Sequence, residues 1–252
     1  MLIGPDKHFL REHGPISLPC SDVSGYQCSF DTQHFAPRNY AQILADGQLS
    51  ERAVPKRQAE FVAGRLCVNQ CFDQFSVSSI PKILRGHRGC PVWPSPFKGS
   101  ISHTNGTAVA VVTQASTISS IGIDIEKTLN ETATKEVGNL VLTTTDQRHY
   151  INCQKSKMSL EQYTTYLFSA KEAVYKALFP LVQHFFDFSA VSLHSINGQY
   201  MTFLTNPNEL PSLPAFSPVR VWFTDRGEHC LTLCKISVEL AHQIESVNWV
   251  KP

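Results

Sequence analysis

The segment GIDIEKT, residues 122–128, places two carboxylates one residue apart inside an apolar run. In a strand, alternation turns Ile121, Ile123 and Ile125 to one face and Gly122, Asp124 and Glu126 to the other. The two acids then stand about 6.5–7 Å apart at the backbone, beside a glycine that leaves room for a close neighbour. Such a pair is either the solvated face of a half-buried strand or part of an oxygen-donor set for a hard cation.

A third carboxylate, Glu172, lies in FSAKEAVYKAL (168–178), four residues before Lys176. At that spacing the two share one helix face, and alone they read as a surface ion pair contributing about 0.2–0.5 kcal/mol. Ser169-x-x-Glu172 also has the spacing of a capping box. The apolar rhythm of Leu160, Tyr163, Leu167, Ala170, Val174 and Leu178 argues against a helix start there, because it carries the helix through Ser169. Further basic side chains stand at Arg57 and Arg65, and at Arg85, His87, Arg88 and Lys98 within RGHRGCPVWPSPFKG (85–99). Ser102 and His103 precede a glycine-containing turn. Taken singly, His103 reads as a structural histidine and the two arginines of the helix as surface residues with buried stems.

The elements that must position these groups follow from periodicity. Residues 1–50 are rich in Gly, Pro, Ser and Asp, and irregular structure with short strands is expected there, one of them at YQCSF. Pro55 suits a first helical turn, and Ala59, Val62, Ala63 and Leu66 keep helical spacing through PKRQAEFVAGRLCVNQCF. Gly64 inside that helix marks a close approach. GSISHT to TAVAVVT and then SSIGIDIEK read together as an antiparallel hairpin across the polar QAST. Residues 128–158 predict a helix and a mobile connection. A long amphipathic helix should then run from Leu160 to near Pro180, followed by strands at FSAVSLHSI, QYMTFLT, RVWFTD and HCLTLCKISV. Helix then strands occurs twice, which suits an α+β protein of two similar lobes, with a site expected between them.

Bulk properties narrow the function. The chain has 252 residues, enough for one large domain or two small ones, with 17% charged and 42% hydrophobic residues. A formal net charge of +1 gives no footing for bulk binding to nucleic acid or an anionic membrane. No apolar stretch approaches the roughly 18 residues of a membrane span, and the N-terminus lacks a signal-peptide core, so a cytoplasmic protein is expected. The eight cysteines form no C-x-x-C pair or zinc-finger spacing and read as small buried hydrophobes.

Taken in order, RQAEFVAGR (57–65), PVWP (91–94), GSISHT (99–104), GIDIEK (122–127) and FSAKEAVYKAL (168–178) resemble the 4′-phosphopantetheinyl transferases, in particular their siderophore-associated group. The resemblance implies an α+β fold of two pseudo-symmetric lobes, each a long helix packed on a small antiparallel sheet, here residues 1–126 and 127–252. It implies transfer of the phosphopantetheine arm of coenzyme A to a serine of a peptidyl, aryl or acyl carrier protein, releasing adenosine 3′,5′-bisphosphate. Asp124, Glu126 and Glu172 match the residues that hold Mg²⁺ in such proteins, Lys176 the helix lysine, and Ser102 and His103 the Ser-His of the coenzyme A grip. Glu172 is the candidate general base, and Lys176 would offset charge developing in transfer.

By the same resemblance His103 lies in the pocket for the ribose phosphate of coenzyme A, with Arg57, Arg65 and Arg88 as partners. Related sequences carry a basic residue two positions before the proline of the 85–99 loop, and here that place is Gly89. Arg88 or Arg85 substitutes, or the contact is absent. The acting species is expected to be a monomer whose partners are coenzyme A and a carrier domain of a siderophore synthetase. A magnesium-dependent phosphohydrolase with the same carboxylates, and a non-catalytic coenzyme A or carrier binder, remain the alternatives.

Overall fold

In a computed structural model of the chain, residues 8–50, 52–152 and 158–246 are described. They form an α+β protein that divides into two compact units, residues 1–115 and 116–252. Among the described residues no helix is long and apolar enough to cross a membrane.

The first unit begins with β1 (Leu10–Pro15), β2 (Ser24–Phe30) and the short helix α1 (Ala41–Asp46). Helix α2 (Pro55–Phe72) follows, over the span its periodicity predicts. A two-stranded ribbon, β3 (Leu84–Arg85) with β4 (Pro91–Val92), carries the basic loop. Strands β5 (Lys98–Thr104) and β6 (Thr107–Thr113) complete an antiparallel sheet of order β1-β2-β6-β5. Helix α2 covers this sheet with Ala59, Val62, Ala63, Cys67 and Cys71, all fully buried. Gly64 permits the approach its position suggests, since a Cβ there would lie 2.7 Å from Ile101 Cγ2 on β5.

The second unit contains β7 (Ile118–Lys127), α3 (Glu131–Val141), α4 (Thr144–Asn152), α5 (Leu160–Val182), β8 (Val191–Asn197), β9 (Tyr200–Thr205), β10 (Pro218–Asp225), β11 (His229–Ser237) and α6 (Val238–Ser246). Its antiparallel sheet has the order β7-β11-β10-β9-β8, and α5 packs on it through Leu167, Ala170, Ala173, Val174, Ala177 and Leu178. The connection expected at the end of 128–158 includes residues 153–157, which lie outside the described residues.

The expected hairpin is corrected in one respect. Strands β5 and β6 pair around Asn105–Gly106, but β7 turns away and pairs with β11, with Asp124 opposite Thr232 and Glu126 opposite Cys230. The acidic strand therefore belongs to the second unit rather than closing a lobe at residue 126. Helix α5 begins with a capping box at Ser159 and Gln162, not at Ser169, and continues past Pro180 to end at Gln183, which adopts φ 56.

Gly122 decides how close the helix comes to the strand. A Cβ built there would lie 2.0 Å from the carbonyl oxygen of Ala173 and 2.7 Å from the amide nitrogen of Ala177. Both obstacles are backbone, so no side-chain rotation relieves the clash. Gly122→Ala is expected to cost about 1–3 kcal/mol or more, as overpacking does. Denaturant titration of the two proteins measures the difference.

Candidate active site

Alternation along β7 sends Gly122, Asp124 and Glu126 toward the face on which α5 lies, because Gly122 is where the two backbones meet. The opposite face is no less buried, with Ile121, Ile123 and Ile125 at most 2% exposed. A solvated acidic face is thereby excluded for Asp124, which is also 2% exposed. On α5, Glu172 and Lys176 each precede one of the alanines that contact Gly122. Lys176 Nζ donates to Asp124 Oδ1 at 2.5 Å, an ion pair across the strand–helix seam rather than the Glu172–Lys176 pair suggested by spacing alone.

The three groups are felt electrostatically as one cluster. Burial raises the pKa of Glu172 and the Asp124 charge raises it further, while Lys176 opposes both. Asp124 and Glu126 also help to hold the Cys230 thiol at about 12, though burial is the larger cause. Beside Glu172 lies a cavity of about 210 Å³ walled by Tyr175, Phe185, Phe186 and Phe188. Its aromatic walls keep the carboxyl in an environment that disfavours charge.

Among the described residues no three of His, Cys, Asp and Glu converge closely enough to hold a metal ion by themselves. The donor chemistry nonetheless fits Mg²⁺, which takes carboxylate oxygens and leaves much of its shell to water and substrate phosphate. Asp124 holds a cation already, the Lys176 ammonium, so the seam is built to meet positive charge.

Lys171, next to Glu172, does different work. It is 2% exposed, and its ammonium donates to Asp146 Oδ2 (2.7 Å), the Val141 carbonyl (2.8 Å) and the Phe188 carbonyl (3.1 Å). Asp146 in turn accepts from the amides of Leu193 (2.7 Å) and Thr143 (2.8 Å). The network fixes α3, α4 and the loop bearing Phe188 to α5, and with them a wall of the cavity. Sequence reasoning passed over Asp146. Its signal was Thr143-x-x-Asp146, a capping-box spacing at the start of α4.

In the first unit, α2 and β5 bring Arg57 and His103 together as expected. Arg57 Nη1 donates to His103 Nε2 at 2.7 Å, which makes that nitrogen an acceptor and puts the ring proton on Nδ1. Glu60, absent from the sequence-based set, lies 3.7 Å from Arg57 and 3.8 Å from His103 Nδ1. Ser102 is 5% exposed and, by strand alternation, points to the face opposite His103. Arg65, two turns further along α2, is 8% exposed and lies over the Phe61 ring at 4.9 Å. Arg88 is exposed in the ribbon loop with φ 54.

Comparison with known proteins identifies the family. Residues 45–113 match the family model described as 4′-phosphopantetheinyl transferase N-terminal domain, and residues 120–234 that of the 4′-phosphopantetheinyl transferase superfamily. Enterobactin synthase component D of Salmonella typhi is 31% identical over 239 residues, covering 92% of this chain and 94% of its own length. The 4′-phosphopantetheinyl transferase PptT of Mycobacterium tuberculosis is 31% identical over 152 residues, 60% of this chain and 64% of its own. The 4′-phosphopantetheinyl transferase Svp of Streptomyces mobaraensis is 34% identical over 142 residues, 56% of each chain.

The raised pKa of Glu172 makes a stability prediction of definite sign. A carboxyl whose folded pKa lies above its unfolded value binds more protons when folded, so stability falls as pH rises through that window. Glu172→Gln removes the penalty. In EDTA, the variant should gain stability over wild type at neutral pH, and the gain should vanish on acidification below the ordinary carboxylate range. Thermal unfolding at several pH values tests it, and equal stability of the two proteins at neutral pH would contradict the assignment.

Proposed function

The chain belongs to the 4′-phosphopantetheinyl transferase superfamily, and on that premise we propose that it transfers the phosphopantetheine arm of coenzyme A to a carrier-protein serine with Mg²⁺ at the β7–α5 seam. The observation that supports this most directly is the coupling of Asp124, Glu172 and Lys176 across that seam. Asp124, Glu126 and Glu172 are the residues that would hold the ion. When bound, Mg²⁺ would neutralise charge on the pyrophosphate and make the nucleotide a better leaving group.

The chain's own residues supply the rest. The serine Oγ forms a bond to the β-phosphorus of coenzyme A, and the phosphoanhydride bond breaks to release adenosine 3′,5′-bisphosphate. The serine proton passes to Glu172, which burial makes a stronger base than an ordinary carboxylate. Lys176 keeps a quarter of its side-chain surface open and offsets charge on the phosphoryl oxygens as it builds. In the first unit, Arg57, Arg65 and His103 are the coenzyme A-binding residues. Similarity to enterobactin synthase component D supports a peptidyl or aryl carrier domain of a siderophore-making synthetase as the acceptor.

Intact-mass analysis of an apo-carrier domain with this protein, coenzyme A and Mg²⁺ tests the proposal. A gain of one phosphopantetheine arm is expected, lost with EDTA and lost in Glu172→Gln. Asp124→Ala should shift the magnesium titration to higher concentration. No gain on peptidyl, aryl or acyl carriers from a folded sample would sink the transfer reading, and release of phosphate from small esters would favour a phosphohydrolase.

A further inference from the structure

The face of α5 that meets the sheet carries Ser169, Glu172, Ala173 and Lys176, at positions i, i+3, i+4 and i+7 of one stripe. The last three have their parts in the seam already described. Ser169 has none there, yet it is fully buried, and so is Thr232 on β11. Their hydroxyl oxygens lie 2.9 Å apart, and Thr232 Oγ1 also donates to the Ser169 carbonyl at 2.9 Å. A threonine hydroxyl has one proton. That proton goes to the carbonyl, so the bond between the hydroxyls runs from Ser169 Oγ to Thr232 Oγ1.

Thr165, one turn earlier on the same helix, returns its hydroxyl proton to its own helix at the Glu161 carbonyl. Ser169 instead directs its proton across to the sheet. Both hydroxyl protons are thus committed within the seam, and both groups are enclosed, so neither reaches a substrate directly.

The place of the pair gives it a second consequence. Thr232 is the cross-strand partner of Asp124 and shares its face of the sheet. Ser169 stands three residues, about 4.5 Å of helix rise, before Glu172. One link therefore ties the strand position of Asp124 to the helix position of Glu172. The contact at Gly122 sets how far α5 stands from β7, but a steric contact has no direction that resists sliding or rotation. Two hydrogen bonds to one residue, at its side chain and at its carbonyl, have such a direction, because each weakens steeply off its line.

We propose that Thr232 and Ser169 form a register pin, holding the turn of α5 that bears Glu172 level with Asp124, and that both are positioning residues for the transfer. This rests on the transferase reading above, in which the two carboxylates serve one centre.

Three variants of the full chain separate positioning from the burial of two hydroxyls. Thr232→Val leaves the Ser169 hydroxyl enclosed without its acceptor, so thermal unfolding should move to lower temperature. Adding Ser169→Ala removes both polar partners, and stability should return toward wild type. Turnover should not return with it: in the double variant kcat for carrier modification should stay about ten- to hundredfold low, with KM for coenzyme A unchanged. Thr232→Ser, which keeps the hydroxyl, should turn over as wild type does. Calorimetric titration with Mg²⁺ in the presence of adenosine 3′,5′-bisphosphate supplies a readout without chemistry, and the double variant should bind the ion about tenfold more weakly. Wild-type kcat and Mg²⁺ affinity in the double variant would overturn the proposal, as would a Thr232→Ser protein as slow as the valine variant. A wild type that modifies no carrier, but whose Mg²⁺ affinity still depends on the pair, would keep the pin and remove the transferase reading. A wild type that neither modifies a carrier nor binds Mg²⁺ would overturn both.

Discussion

The contact on which the rest of the second unit depends is the meeting of two backbones at Gly122. The space for its missing Cβ is filled by the Ala173 carbonyl, and the helix residues facing it are alanines. Were any of the three larger, α5 would stand further from β7 by about the width of a methyl group. Lys176 could then no longer reach Asp124, and Glu172 would lose the burial that raises its pKa. The small residues of the two motifs thus set a distance, and the charged residues beside them use it. Because the clash would be with backbone, the packed core leaves little freedom to adjust.

Two lysines five residues apart on α5 show how burial divides labour between like groups. Lys171 is 1% exposed at its side chain and directs its ammonium to three acceptors. It is bound into the architecture, and its removal would leave Asp146 as a buried charge without its cation. Lys176 is 25% exposed beside an Asp124 side chain that is only 2% exposed. That lysine can shift toward solvent without stranding itself in an apolar interior. Chemistry is available to the second lysine and structure claims the first, although the sequence presents both as lysines on an amphipathic helix.

Much of this was legible beforehand. Helix α2 matched its apolar spacing from Pro55 to Phe72, and Gly64 marked a close approach that proved to be Ile101. The strands of the C-terminal half fell where alternation put them. Periodicity does not say which strand pairs with which, so β7 was read into a hairpin with its predecessor instead of against β11, 102 residues or more away in sequence. The short α1 and the closing α6 escaped notice because six and nine residues give too little rhythm to read. Asp146 and Glu60 were missed for another reason. A buried counter-charge has no signature of its own until the group it compensates is placed in space.

Compensation also distinguishes the arginines of α2. Arg57 and Arg65 lie eight residues apart, about 12 Å along the axis, and in sequence they are equivalent. Folding gives Arg57 a carboxylate partner and an exposed side chain, while Arg65 is enclosed over Phe61 with a second arginine close by. A cation already paired with an acid must give up that partner, or share it, to hold an incoming phosphate. A buried cation with open donors, as Arg65 has at Nε and Nη1 among the described residues, has no such partner to give up at those atoms. Net positive charge is therefore concentrated around Arg65 even though the chain as a whole is nearly neutral. Local imbalance, rather than overall charge, is what lets a nearly neutral chain attract an anion at one place on its surface.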